Sequence, residues 1–297
     1  MPARRPELQA LGAAESPLVL DARRRLLHYR GMLLVIDVGN TNICGGIYDG
    51  SRRSTAGPSL AHTLRIHTVP KKTEDEYSTI FKSILLDRGI APSYVSEVVL
   101  SSVVPSLTEA MCVMCERLFG RSPIVLGPGV YDRLPLSIPS PHEIGSDLVA
   151  DALAAWRKTG GASIVVDFGT ALTFTCVGHE SDILGVAIAP GLGTAVNALS
   201  RDTAQLPFVQ LDAPSSVIGT NTILAIQAGV VHGYIGLVEY MIGKMKAEVG
   251  GELKVIATGG LSKTMAGLTA VFDAIDPDLT LDGLAYVSEY VSAKIAH

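Results

Sequence analysis

Short apolar blocks alternate with longer apolar stripes along this chain. Residues 33–36 (Leu-Leu-Val-Ile) have the continuous apolar character of a strand buried on both faces. The block ends on Asp37, and a Gly39-Asn40-Thr41 turn leads into a second strand. Residues 163–177 repeat that arrangement, with Ile164-Val165-Val166, then Asp167, then a Gly169-Thr170 turn. Between the copies, 64–68 reads as an edge strand. Thr73 and Glu76 form a capping box that opens a helix presenting Tyr77, Ile80, Phe81 and Leu85. A strand is expected at 95–104, an apolar-faced helix at 106–119 and a short strand at 123–126. The Gly-, Pro- and Ser-rich segment 127–142 reads as a surface loop. Residues 145–157 carry a broad apolar stripe of Leu148, Val149, Ala152, Leu153 and Trp156, a helix that Thr159-Gly160-Gly161 breaks.

Past that break the pattern predicts a strand at 184–189, a Pro190-Gly191 turn and a helix near 194–201. A long helix follows at 223–245, with small residues at Ala225, Ala228, Gly229, Gly233 and Gly236. A strand at 254–258 closes on Gly259-Gly260, and a terminal helix covers 287–295. Strands and helices alternate throughout, so the class is α/β. The expected organisation is an N-terminal extension (1–31), a first domain (32–158) and a second (159–297).

Composition narrows the function classes. At 297 residues, 47% hydrophobic and 18% charged, the chain has the makings of a compact globular protein. Its net charge of −5 offers no electrostatic attraction to nucleic acid or acidic membranes, and neither is expected as a partner. No uninterrupted apolar run approaches the ~20 residues of a membrane span. The four cysteines make no disulfide framework, which suits a reducing cytoplasm, and Cys112 and Cys115 read as core packing on a helix face. His142, His179 and His232 lack ligand spacing for zinc. The first 31 residues are Arg-rich and read as a disordered extension or an over-long start, not as a targeting segment.

The repeated hairpin is the candidate chemistry. An Asp at a strand end can hold hydrated Mg²⁺, while Gly and Thr in the turn bring backbone N–H groups and a hydroxyl close to phosphate oxygens. A hairpin Asx-turn uses the same residues without a ligand, but the second copy favours a shared polyphosphate cleft. Asp37, Gly39, Asn40 and Thr41 form one wall; Asp167, Gly169 and Thr170 form the other.

The paired hairpins and the strand–Ala257-Thr258-Gly259-Gly260 element resemble the acetate and sugar kinase, Hsp70 and actin superfamily. In detail the chain resembles the type III pantothenate kinases. The matching segments, in the family's order, are Asp37–Thr41, Thr73–Tyr77, Ser101–Pro105, Gly145–Asp147, Asp167–Ala171, Pro190-Gly191, Thr203–Pro207, Ile218-Gly219 with Thr222, and Ala257–Gly260. The resemblance implies two actin-like (ribonuclease H-like) α/β domains with a nucleotide cleft between them. It implies ATP-dependent phosphorylation of pantothenate to 4′-phosphopantothenate in the cytoplasm, opening coenzyme A synthesis. Asp147 would be the general base; Gly145, Ser146 and Thr203 would join it in binding substrate. Gly259 and Gly260 would approach the nucleotide, and Asp37 and Asp167 would hold Mg²⁺. A monovalent cation (K⁺ or NH4⁺) and a homodimer complete the expectation. Departures cluster on the acceptor side: Leu148 stands where the family generally has Arg, Ile138 for Tyr, Asp151 for Asn and Gly193 for a basic or polar residue. Two alternatives remain open at this point. One is a nucleotide-binding relative with a regulatory role; the other is a kinase for another small hydroxy-acid.

Overall fold

The computed structural model describes residues 31–49, 57–203, 206–207 and 209–293. The extension (1–30), Ala204 and Gln205 of the Thr203–Pro207 segment, and the last residues of the expected terminal helix lie outside the described residues. Two five-stranded sheets dominate. The first has the order β3-β2-β1-β4-β5, from β1 (Met32–Val38), β2 (Asn42–Tyr48), β3 (Leu60–His67), β4 (Val95–Ser102) and β5 (Ile124–Val125). The second has the order β10-β9-β6-β7-β8, from β6 (Ser163–Phe168), β7 (Ala171–Val177), β8 (Ile183–Pro190), β9 (Lys254–Thr258) and β10 (Ala274–Ile275). In each, the Asp-bearing strand pairs antiparallel with its hairpin mate and parallel with a later strand. The sequence repeat is therefore a repeat of topology.

Helices cover and separate the sheets. The helices α1 (Glu74–Asp87) and α2 (Pro105–Phe119) share a core with Leu34, Ile36 and Leu100 on the outer face of the first sheet. The predicted capping box is present on α1: Thr73 N–H donates to Glu76 Oε2 at 2.9 Å, and Thr73 Oγ1 accepts from Glu76 N–H. A short α3 (Pro128–Tyr131) follows β5, and then α4 (Ser146–Thr159). The helices α5 (Leu192–Asp202) and α6 (Thr222–Val249) pack on the outer face of the second sheet. A short α7 (Ser262–Ala266) precedes β10, and α8 (Leu279–Ala293) ends the described chain. Between the sheets, α4 and α8 lie against each other in a central core with Leu33, Val35 and Val99 of one sheet and Val165 and Ile256 of the other. Gly283 of α8 is in such close contact with α4 that an added Cβ would collide with the Ala150 carbonyl.

Some expectations change. Segment 127–142 is not wholly surface loop: it forms α3, and Tyr131, Leu134 and Leu136 are buried in the central core. The apolar residues there fill the space beside α4, which Gly and Pro content does not reveal. The last helix starts at Leu279, before the expected 287. Cys115 lies in the outer core of the first sheet and Cys112 packs against it, as expected. The helix α6 is long and apolar enough to cross a membrane by length and composition, although no run in it is uninterrupted. Its Ile, Leu, Val and Ala residues raise mean hydropathy, Gln227, His232 and Glu239 interrupt them, and 28% of its most apolar stretch is buried.

Candidate active site

Strand alternation decides where the acids point. In β1, Leu34 and Ile36 face the outer core while Leu33 and Val35 face the central one; Asp37 continues the central series. In β6, Ile164, Val166 and Phe168 face outward and Val165 inward, so Asp167 is inward too. The two acids therefore line the central layer at the end of their strands. There α4 begins, and it adds Asp147 in its first turn and Asp151 one turn later. Asp37, Asp147 and Asp167 are half-buried and open to a ligand, whereas Asp151 is 1% exposed.

These four carboxylates interact through a poorly solvated space. Burial, and then the Asp147 charge, push Asp37 up to about 7; a hydrogen bond from Ser101 opposes the shift and Asp167 adds to it. Asp167 is pushed up to about 7 by burial and by Asp147. Burial raises Asp147 against the backbone N–H of Leu148, which donates to its Oδ1 at 2.9 Å. Asp151 is raised well above the usual carboxylate range by burial and then by Asp167, and the Thr280 hydroxyl on α8 donates to it at 2.7 Å. Among the described residues, no cation figures in the influences on these four acids. Leu148 is buried and supplies none.

The rest of the site is built from turns and hydroxyls. Ser101 sits beside Asp37 in register; its Oγ donates to Asp37 Oδ1 at 2.8 Å and lies 2.9 Å from Ser146 Oγ. Because the Ser101 proton goes to the carboxylate, Ser146 is the donor in the second bond. The two hairpin tips meet across the cleft, with Thr41 Oγ1 2.7 Å from Thr170 Oγ1. A backbone bond closes each turn, Gly39 N–H to Asn42 O three residues on in the first and Gly169 N–H to Ala171 O two residues on in the second, so the second turn is one residue tighter. Asn40 lies exposed at the first tip. Gly259 has φ +86°, and a Cβ there would collide with Asp167. A Cβ on Gly145 would meet the Asp147 carboxylate, and one on Gly191 the Gly169 and Thr170 carbonyls.

The structure thus brings Asp37, Gly39, Thr41, Gly145, Ser146, Asp147, Asp167, Gly169, Thr170 and Gly259 to one region. Gly260 sits beside the Arg65 guanidinium at the rim. Thr203 is not joined to the carboxylates by any hydrogen bond: it ends α5, and its exposed hydroxyl donates to Leu199 O at 2.6 Å. The sequence reading gave no site role to Ser101, Asp151 or Arg65. The spacing of Asp151 four residues after Asp147 was a usable signal, since both then lie on one helix face.

The donor set suits Mg²⁺. Asp37 and Asp167 offer hard carboxylate oxygens at levels that a divalent cation would lower, and a hydrated Mg²⁺ needs few protein ligands. The Thr258 hydroxyl, beside Asp167 in register, is buried without a hydrogen-bond partner. This is the counterpart of Ser101 beside Asp37, left open to a ligand or its water.

Against this geometry, a family model for type III pantothenate kinase matches residues 33–244. The chain belongs to the type III pantothenate kinase family. The family member from Moorella thermoacetica is 43% identical over 258 residues, 87% of this chain and 99% of its own length. That from Anaeromyxobacter sp. (strain K) is 41% identical over the same span and coverage. Among solved structures, (R)-2-hydroxyglutaryl-CoA dehydratase component A from Acidaminococcus fermentans has a TM-score of 0.50 at 15% identity, covering 90% of this chain and 100% of that one, a likeness of fold alone. The fold is the actin-like, nucleotide-binding type, and the family is one of phosphotransferases. Family membership gives the carboxylate cluster its context: kinase sites gather acids where metal and phosphate meet.

Proposed function

We propose that this chain transfers the γ-phosphoryl group of ATP to pantothenate, giving 4′-phosphopantothenate in the first step of coenzyme A synthesis. The observation that carries the reading is the convergence of two Asp hairpins, touching at Thr41 and Thr170, on the half-buried Asp147. In this proposal residues 32–158 supply Asp37 and Asp147, and residues 159–297 supply Asp167. The turns at Gly39–Thr41, Gly169-Thr170 and Gly259-Gly260 hold the nucleotide.

Asp147 takes the proton of the pantothenate hydroxyl as that oxygen attacks phosphorus and ADP departs. Its raised affinity for protons favours that acceptance. Gly145 gives its carboxylate room, and Ser146, tied to Ser101, fixes the start of the helix. Asp37 and Asp167 would hold Mg²⁺, which neutralises charge on the phosphates when bound. Thr203 faces the acceptor, and a monovalent cation (K⁺ or NH4⁺) assists. The proposed homodimer is supported by exposed apolar residues on α6, Ile223 (50% exposed), Leu224 and Tyr240 (64%), which a second copy would cover. A cytoplasmic location suits four free cysteines.

A second reading keeps the nucleotide chemistry and changes the acceptor. Buried, apolar Leu148 at the family's Arg position favours it. An ADP-release assay with ATP, Mg²⁺ and K⁺ separates the two. ADP that depends on pantothenate, with 4′-phosphopantothenate identified by mass, supports the first. ADP release with other hydroxy-acids and none with pantothenate establishes the second.

A further inference from the structure

A row of side chains crosses the first sheet in register: Ser101 on β4, Asp37 on β1, Cys44 on β2 and Arg65 on β3. Leu64 and Ile66, on either side of Arg65, pack into the outer core, so alternation turns Arg65 to the face that carries Asp37. Cys44 packs at the central core and lies next to the Arg65 guanidinium, which opposes the upward shift of its thiol. The same thiol feels the charges of Asp37 and Asp167. Arg65 also reaches the other sheet: its Nη1 is 3.8 Å from where a Cβ on Gly260 would stand. Gly260 follows Gly259, the residue packed on Asp167.

The matching row of the second sheet is Thr258, Asp167, Thr173 and Ile188. The position equivalent to Arg65 is thus an apolar residue, 69% exposed, and the cation belongs to one half only. Arg65 is exposed and has room to turn toward a ligand. The cleft that it borders gathers four carboxylates, and Leu148 brings no charge. A polyphosphate entering such a cleft needs positive charge from the protein as well as from its metal. A guanidinium meets phosphate oxygens through paired N–H donors.

We propose that Arg65 is a phosphate-binding residue of the nucleotide cleft, carried by β3 and reaching the Gly259-Gly260 turn, so that it links the two sheets through the bound polyphosphate. The proposal rests on the nucleotide-cleft reading above. Arg65 touches the phosphate chain, not the base or sugar, so its contribution grows with the number of phosphates.

Calorimetric titration of wild type, R65A, R65K and D37N with adenosine, ADP and ATP, each with Mg²⁺, tests it. For R65A the expected result is an ATP affinity weakened about 10- to 100-fold, the size of a lost charged hydrogen bond, with adenosine binding unchanged. R65K should recover part of the loss, because it restores charge without the paired donors. Arg65 lies on the surface of an edge strand, and unchanged far-ultraviolet circular dichroism shows that the variants fold. Wild-type ATP affinity in R65A, with D37N impaired, overturns the role of Arg65 and leaves the cleft standing. Equal losses for adenosine and ATP also overturn it, by making the residue structural. Failure of the wild type to bind ATP overturns the cleft and this inference together.

Discussion

Ser101 shows how a residue outside the proposed catalytic set can govern it. Its hydroxyl donates to Asp37 and accepts from Ser146, which couples the acid on β1 to the first turn of α4. The bond lowers the proton affinity of Asp37 against the larger effect of burial. Ser101→Ala removes that opposition, so Asp37 holds its proton to higher pH. The expected outcome is an acid limb of the kcat/KM profile displaced to higher pH, with activity at neutral pH down about 10- to 100-fold, the size of one hydrogen bond to a charged group. An unchanged profile would mean that Asp37 does not need to be ionised for turnover. Asp151 is a different case, being sealed from solvent and held by Thr280. The sequence marked it only as a departure from the family pattern. That it joins the other three acids depends on how α4 is rolled between two sheets, which helical spacing suggests and only packing decides.

At the scale of elements, the α4–α8 crossing sets the site's geometry, because the same helix that carries Asp147 and Asp151 is pressed on α8 at Gly283. Lys158 at the far end of α4 pairs with Asp276 and Asp282, and Tyr48 donates to Asp282 at 2.7 Å, so three elements are fastened there. Gly283→Ala must push the helices apart. We expect a loss of about 1–3 kcal/mol, typical of an overpacked core, seen as a lower urea midpoint. A midpoint equal to wild type would show that the crossing relaxes freely.

Most of these elements were legible in the chain. The Asp hairpins, the capped α1, the helix carrying Asp147 and the strand before Gly259 all have strong local signals: solid apolar runs, a Thr73–Glu76 box, a stripe, a Gly-Gly stop. What escaped was decided by distant contacts. Tyr131, Leu134 and Leu136 are buried although their segment reads as loop, the two-residue β10 exists only by pairing with β9, and Arg65 meets Gly260 from the opposite sheet. Local pattern cannot report a partner that the fold brings from across the molecule.

For the whole molecule, the carboxylate cluster makes stability depend on pH. Asp37 and Asp167 hold protons up to about 7 in the folded state, against an ordinary value of 3.8. Between those limits the folded form binds more protons than the unfolded form, so stability falls as pH rises from about 4 through 7. Below the ordinary value both states are protonated, and the two acids contribute no slope. Without metal or nucleotide, the melting temperature should therefore be higher at pH 5.5 than at pH 7.5, and Mg²⁺ with ATP should raise it most at the higher pH. Asp37→Asn should reduce the unliganded difference and leave the share that Asp167 contributes. A wild-type melting temperature that rises over this interval would contradict the cluster's electrostatics.

The central claim is that Asp147 accepts the proton during phosphoryl transfer in a cleft whose nucleotide site is otherwise complete. The most direct test is Asp147→Asn, measured for pantothenate-dependent ADP release and, on the same preparation, for ATP binding. The account predicts that turnover falls by about 10²–10⁴-fold, the usual contribution of a positioned base, while ATP still binds. Turnover close to wild type would contradict it.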